Sequence, residues 1–225
     1  PYENVPAPQM ARLERRFGAW LAARHGSVAK ALAAWGGPAV RGDDPASGRA
    51  GFRPLWELAN RPDRRSRETA EFLARLQREF FDREGAHLKQ TLRFGGCVVG
   101  SNWITADARV LGPLDKWSNA GLDAMDRHGY FEGRHDGDGA SYSLRVGHVY
   151  EDRSALRWEP GKDAPALPLF DLRWNGLPSL LSEVNWPAPN RFRAEMPFLA
   201  AALGSLQGSD ALMFFALSGP DWQQT

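Results

Sequence analysis

The sequence predicts an α/β protein built on a parallel sheet, and three observations lead there. Helical patterns alternate along the chain with short apolar runs. Those runs are short and read as buried strands, as in a parallel sheet. Three of the four runs place polar residues at their C-terminal ends, where α/β sheets build their sites.

The elements follow in order. Met10, Leu13, Phe17, Trp20 and Leu21 recur at three- and four-residue steps and predict a helix over 9–25, with Pro8 near its start and Gly26 as its stop. Ser27 then caps a second, short helix ending at Trp35. Residues 36–54 are rich in Gly, Pro and Asp and read as loop. Ser66 opens the longest helical pattern, with Phe72, Leu73, Leu76, Phe80 and Phe81 as its stripe; it extends past Gly85 to Leu92 before Gly95-Gly96. "CVVGSNW" (97–103) reads as a strand, 114–122 as a helix, and "DAMDRHGYF" (123–131) as a second strand. Residues 132–170 are irregular apart from a strand candidate at 142–150. "SLLSEV" (179–184) is a third strand, 193–207 a helix, and "ALMFFAL" (211–217) a fourth strand. No internal repeat or low-complexity tract interrupts this order.

Composition narrows the function. The 225 residues, 43% hydrophobic and 24% charged, suffice for one substantial domain. A net charge of +1 gives no field to draw nucleic acid or an anionic membrane. No apolar run approaches the roughly 18 residues of a membrane span. The single cysteine, Cys97, excludes an internal disulfide and a cysteine-based zinc site, and its place in an apolar run predicts core packing. The unusual feature is nine tryptophans, several beside polar residues: Trp103 after Asn102, Trp186 after Asn185, Trp222 after Asp221. Indoles in that setting either fill a large core or form flat platforms for pyranose rings.

The strand ends supply the chemistry. They are Ser101-Asn102-Trp103, Asp126-Arg127-His128-Tyr130, Glu183-Asn185-Trp186, and Ser218 with Asp221-Trp222. On parallel neighbours these clusters converge on one rim. A carboxylate there, beside a His, a Tyr and indoles, suits glycosidic bond cleavage, which uses one carboxylate as nucleophile and a second carboxyl as acid/base. Taken alone, Glu183 reads either as that carboxylate or as a solvated strand-end acid. His128 is either a core-edge imidazole or a substrate contact, and Tyr130 either packs or reaches the acid. "RHDGDGAS" (134–141) spaces its acids like a calcium loop but lacks the later bidentate Glu, so no metal is assigned. Ser101 and Ser182 lie outside any Gly-x-Ser-x-Gly elbow, which argues against a serine hydrolase.

These segments together resemble one family. "LLSEVNWPAPNRFRAEMPFLAAALGSLQGSDALMFFAL" is similar to the last third of the (β/α)8 TIM barrels of clan A glycoside hydrolases, whose nucleophilic Glu ends the seventh strand, often as Ser-Glu before Tyr/Val-Asn. "VVGSNW" resembles their fifth strand, "DAMDRHGYF" their sixth and "ALMFFAL" their eighth. "FGAWLAARHGSVAKALAAW" is similar to the helical segment after the fourth strand in bacterial enzymes related to beta-galactosidases and cellulases.

The resemblance implies a fold and an activity. Residues 1–225 would be the C-terminal part of a single barrel domain, holding about its last four strands, with 132–170 as a loop excursion on the site face. The activity would be retaining hydrolysis of a β-linked oligo- or polysaccharide. Glu183 would be the nucleophile, and Asn102, Trp103, His128, Tyr130, Asn185 and Trp186 the sugar contacts, with no cofactor or metal. Family members carry the acid/base as Asn-Glu at the end of the fourth strand; this chain has no Asn-Glu pair, and Glu3 is the nearest substitute. Four strands do not close a barrel. The expected partners are therefore the carbohydrate and an N-terminal barrel half, in the same or another chain. The other reading is a non-catalytic carbohydrate-binding or scaffold protein on a degenerate barrel.

Overall fold

The computed structural model of the chain describes residues 4–103, 107–131, 134–140, 144–157, 159, 167–171 and 173–216. They form two compact units, Pro1–Arg93 with Ile104–Gly121, and Phe94–Trp103 with Leu122–Thr225. This division has no sequence signal: residues 1–225 read as one barrel-like domain.

The first unit is helical. Helix α1 (Ala7–His25) ends where Gly26 turns left-handed, at φ 86°, and returns its N–H to Ala22 O. The side chain of Ser27 accepts from Lys30 N and starts α2 (Val28–Trp35). Short α3 (Leu55–Asn60) precedes long α4 (Arg64–Ala86). The cap of α4 is Asp63 rather than Ser66: the Asp63 carboxylate accepts from Ser66 N, and the Ser66 hydroxyl accepts from Arg53 instead. The expected extension to Leu92 is present as one wider π turn, His87–Thr91. Helix α5 (Gly112–Asn119) packs on α4 through an Arg78 guanidinium over the Trp117 ring.

Phe17 centres the core of this unit, with Phe72 at 4.8 Å and Phe52 at 4.9 Å between ring centroids. Phe52 belongs to the loop that precedes α3, and the loop is held by charge. Arg65 donates to both oxygens of Asp43, at 2.6 and 2.9 Å, and to Gly51 O at 3.0 Å. The two side chains are 4% and 5% exposed. Gly18 lets the loop lie against α1, since a Cβ there would sit 2.0 Å from Gly48 O.

The second unit holds the sheet. Strand β1 (Met125–Tyr130) is followed by a minimal antiparallel hairpin, β2 (His135–Asp136) with β3 (Val149–Tyr150). Next come β4 (Ser179–Asn185), α6 (Glu195–Gln207) and β5 (Ala211–Phe214). The sheet is parallel with order β1-β4-β5. Its core joins Phe131, Leu181, Val184 and Trp186 to Met196, Leu199 and Ala200 of α6, with Leu167 and Leu169 alongside. Among the described residues β5 pairs on one side only, and Met213 and Phe214 are exposed.

Two expectations need correction. Residues 97–103 do not form a strand. They run beside β1 with Asp123 N bonded to Val98 O and His128 N to Asn102 O, while the Asp123 carboxylate takes the Val98 N–H that a ladder would have paired. Cys97 is accordingly exposed and not in a core. Of the strand candidate at 142–150, only Val149–Tyr150 pairs; residues 142 and 143 lie outside the described residues.

The Asp43–Arg65 pair makes the first unit acid-sensitive. Burial pushes the Asp43 carboxyl up, but the bonds from Arg65 and from the Val40 and Gly51 amides outweigh it and hold it below its ordinary value. Its stabilisation is therefore full above the carboxylate range and is lost as pH falls through the lowered value. Asp43→Asn should cost about 3–5 kcal/mol at neutral pH by stranding the buried guanidinium. In urea unfolding, the gap to wild type should narrow once pH drops well below about 4; a gap independent of pH would contradict this account.

Candidate functional site

The position of Glu183 is set by one extra residue. Along β1 and β4, Arg127 pairs with Leu181 but His128 pairs with Glu183, so Ser182 stands unmatched. The same extra residue shows against β5, where Leu181 pairs with Leu212 and Val184 with Phe214. In a regular strand Leu181 and Glu183 would share a face. The bulge breaks that alternation: Leu181, Val184 and Trp186 enter the core, and Glu183 turns to the opposite face.

Side chains hold the bulge. Asp126, buried in β1, accepts from Ser182 N at 3.0 Å. Asn102 donates to Ser182 Oγ at 3.2 Å from the segment beside β1. The Arg127 guanidinium bonds Ser101 O and Asp126 O and so ties the same segment down.

On the Glu183 face, Tyr130 donates its hydroxyl to Glu183 Oε2. Burial, then this bond and the adjacent negative charge, raise the Tyr130 phenol above its ordinary value, so it stays protonated and remains a donor. His128 lies two residues earlier on the same face, its ring 6.4 Å from that of Tyr130 and 4.5 Å from that of Trp103. Both ring nitrogens of His128 are shielded from solvent and have no hydrogen-bond partner among the described residues. Trp103 is 52% exposed. Phe215, just beyond β5, closes the other side with its ring 6.5 Å from Tyr130. A half-buried carboxylate thus sits in an arc of aromatic rings at the C-terminal ends of parallel strands, a setting able to hold a polar ligand with flat apolar faces.

The structure sorts the expected site residues. Glu183, Tyr130, His128 and Trp103 come together. Asn102 reaches the group as a brace, its amide nitrogen given to Ser182. Asn185 is committed at both ends, donating to Phe215 O at 2.9 Å and accepting from Trp186 N at 2.8 Å, and so ties β4 to the chain after β5. Trp186 is a correction: it is 1% exposed and packs edge-on against Phe131 at 5.4 Å, so it is a core residue and no platform for a ligand. Glu3, Ser218, Asp221 and Trp222 lie outside the described residues. Sequence reasoning missed Phe215, although its place at the end of the last strand would have flagged it. It also missed the bracing role of Asp126, which has no sequence signal.

The excursion after β1 returns to the loop after β4. Arg191 N donates to Asp152 Oδ1, the Asn190 amide donates to Arg153 O, and Glu195 accepts from Ser154 Oγ and Ala155 N. The excursion is therefore anchored beyond the C-terminal end of β4. No protein-family model, curated protein or solved structure matches the chain.

Two outcomes follow from this geometry. Asp126→Ala strands the Ser182 amide and should cost about 1–3 kcal/mol in urea unfolding; a neutral result would remove Asp126 as the clamp. In a tyrosinate absorbance titration, Tyr130→Phe should lose no amplitude at the pH of about 10 where free tyrosine ionises. Loss of a quarter of the signal, the share of one tyrosine in four, would refute the raised phenol.

Proposed function

We propose that the chain supplies the C-terminal part of a (β/α)8 barrel in a retaining glycoside hydrolase that cleaves β-linked oligo- or polysaccharides. The observation that carries this reading is the Tyr130 hydroxyl donated to Glu183 at the C-terminal ends of adjacent parallel strands. Glu183 is the nucleophile and attacks the anomeric carbon. Tyr130 orients it through its hydroxyl bond. Trp103 offers a stacking face, with the His128 ring packed beside it. Retention needs a second carboxyl about 5–5.5 Å from the first. The chain has no Asn-Glu pair, the form in which the family it resembles presents that group. The acid/base therefore comes from Glu3 or from a further segment, in the same or another chain, together with the remaining barrel strands. That same observation favours the second reading, a carbohydrate-binding protein without turnover.

Turnover of an activated aryl glycoside and calorimetric binding of an oligosaccharide separate the two. Glu183→Gln should abolish turnover, a loss on the order of 5 kcal/mol or more in the barrier, and leave binding intact. A 2-fluoro glycoside with a good leaving group should label Glu183, read by peptide mass. Trp103→Ala should weaken binding roughly 3- to 10-fold, as expected for one stacking contact. Trp186→Ala should instead destabilise the fold by about 3–5 kcal/mol. Near wild-type turnover in Glu183→Gln refutes the nucleophile role. Binding without turnover in the wild type selects the second reading.

A further inference from the structure

The β2–β3 hairpin carries a feature that the Glu183 group does not use. His135 Nε2 and His148 Nδ1 lie 3.0 Å apart, with ring centroids at 5.1 Å and planes at 61°. A ladder of two residue pairs, His135 with Tyr150 and Asp136 with Val149, is too short to orient two imidazoles by itself. Packing does so instead. Tyr150 stands edge-on to His135, its ring 5.5 Å away at 76°. Gly137, at φ 148°, brings its backbone against His148: a Cβ there would fall 2.3 Å from Cδ2 and 2.6 Å from Nε2 of that ring. Both rings are thus set in place, and each turns one nitrogen towards the other.

We propose that His135 and His148 form a two-histidine chelating site for a divalent transition metal, zinc being the probe of choice. Two imidazole nitrogens bound at about 2.0–2.1 Å to one ion lie about 2.9 Å apart at a right angle and about 3.4 Å apart at a tetrahedral one. The observed 3.0 Å falls inside that span. Without metal, one nitrogen carries the proton shared between the rings. The ion takes its place, and the proton moves to the outer nitrogen of the same ring, so a neutral pair binds without net proton release. Bound His135 is then protonated at Nδ1 and bound His148 at Nε2, the neutral ligand form of the side chain. The neighbouring cations do not oppose the ion strongly, because Arg134 pairs with Asp136 and Arg145 with Asp138. Among the described residues no third His, Cys, Asp or Glu completes the set, so the proposed protein ligands are these two imidazoles. Imidazole donors favour zinc, copper and nickel over calcium or magnesium.

The test is calorimetric titration of the chain with zinc chloride in a non-coordinating buffer, paired with long-range proton–nitrogen spectra of the histidine rings. One zinc per chain is expected. His135→Ala and His148→Ala should each weaken binding about tenfold or more, while His87→Ala should bind as wild type does. In the wild type, one equivalent of zinc should shift His135 Nε2 and His148 Nδ1, a readout that holds even where a variant loosens the hairpin. No zinc binding, wild-type affinity in both alanine variants, or unmoved ring nitrogens at one equivalent would each overturn the proposal.

Discussion

The sheet unit depends on a single unmatched residue and on the carboxylate that receives its amide. Ser182 adds one residue to β4 against both of its neighbours. A bulge leaves an N–H without its ladder partner, and a buried N–H needs another acceptor. Asp126 supplies it, and Asn102 holds the Ser182 hydroxyl from the far side. With the bulge fixed, the remaining assignments follow. Leu181 and Val184 both reach the core although they stand three positions apart, and Glu183 is free to meet Tyr130. Change in β4 is therefore felt through length before identity: losing one residue would exchange the faces of everything after Leu181, whereas many substitutions would leave the faces as they are.

The helical unit solves a different problem by similar means. Its loop from Gly36 to Pro54 has few apolar residues to hold it, yet Ala50 and Phe52 lie in the core. The loop is retained by buried charge. Asp43 meets Arg65 of α4, and Arg53 meets Asp63 and Ser66 at the start of the same helix. The cap of α4 and the seat of the loop are one network, so the start of the helix is fixed by tertiary contacts more than by local propensity.

That explains what the sequence disclosed and what it hid. Gly26-Ser27 marked the break between α1 and α2 because stop and cap are local chemistry. The strands at 125–130, 179–185 and 211–214 were legible as short runs between helical patterns, and Glu183 stood out as the acid at the end of one. The bulge was not legible: alternation assumes one residue per step, and nothing in Leu-Leu-Ser-Glu-Val announces an extra one. Trp186 was misread for the same reason, since its polar neighbour Asn185 says nothing of which face the indole takes. Cys97 was misread because Asp123, twenty-six positions on, takes over the hydrogen bond a ladder would have made. The opening of α4 lies at Asp63 rather than Ser66 because the Asp63 carboxylate caps the Ser66 amide, while the Ser66 hydroxyl is taken by Arg53.

Among the described residues β5 pairs on one side only, and this bears on how the protein behaves at high concentration. Backbone groups along an unpaired edge can accept another strand, and Met213 and Phe214 add apolar surface beside them. No lysine, arginine or proline lies within Ala211–Phe214 to discourage such an approach. Colloidal behaviour should therefore be governed by four residues at the margin of the sheet. A charged side chain placed at Met213, which is exposed, is a single change that would make the chain easier to concentrate.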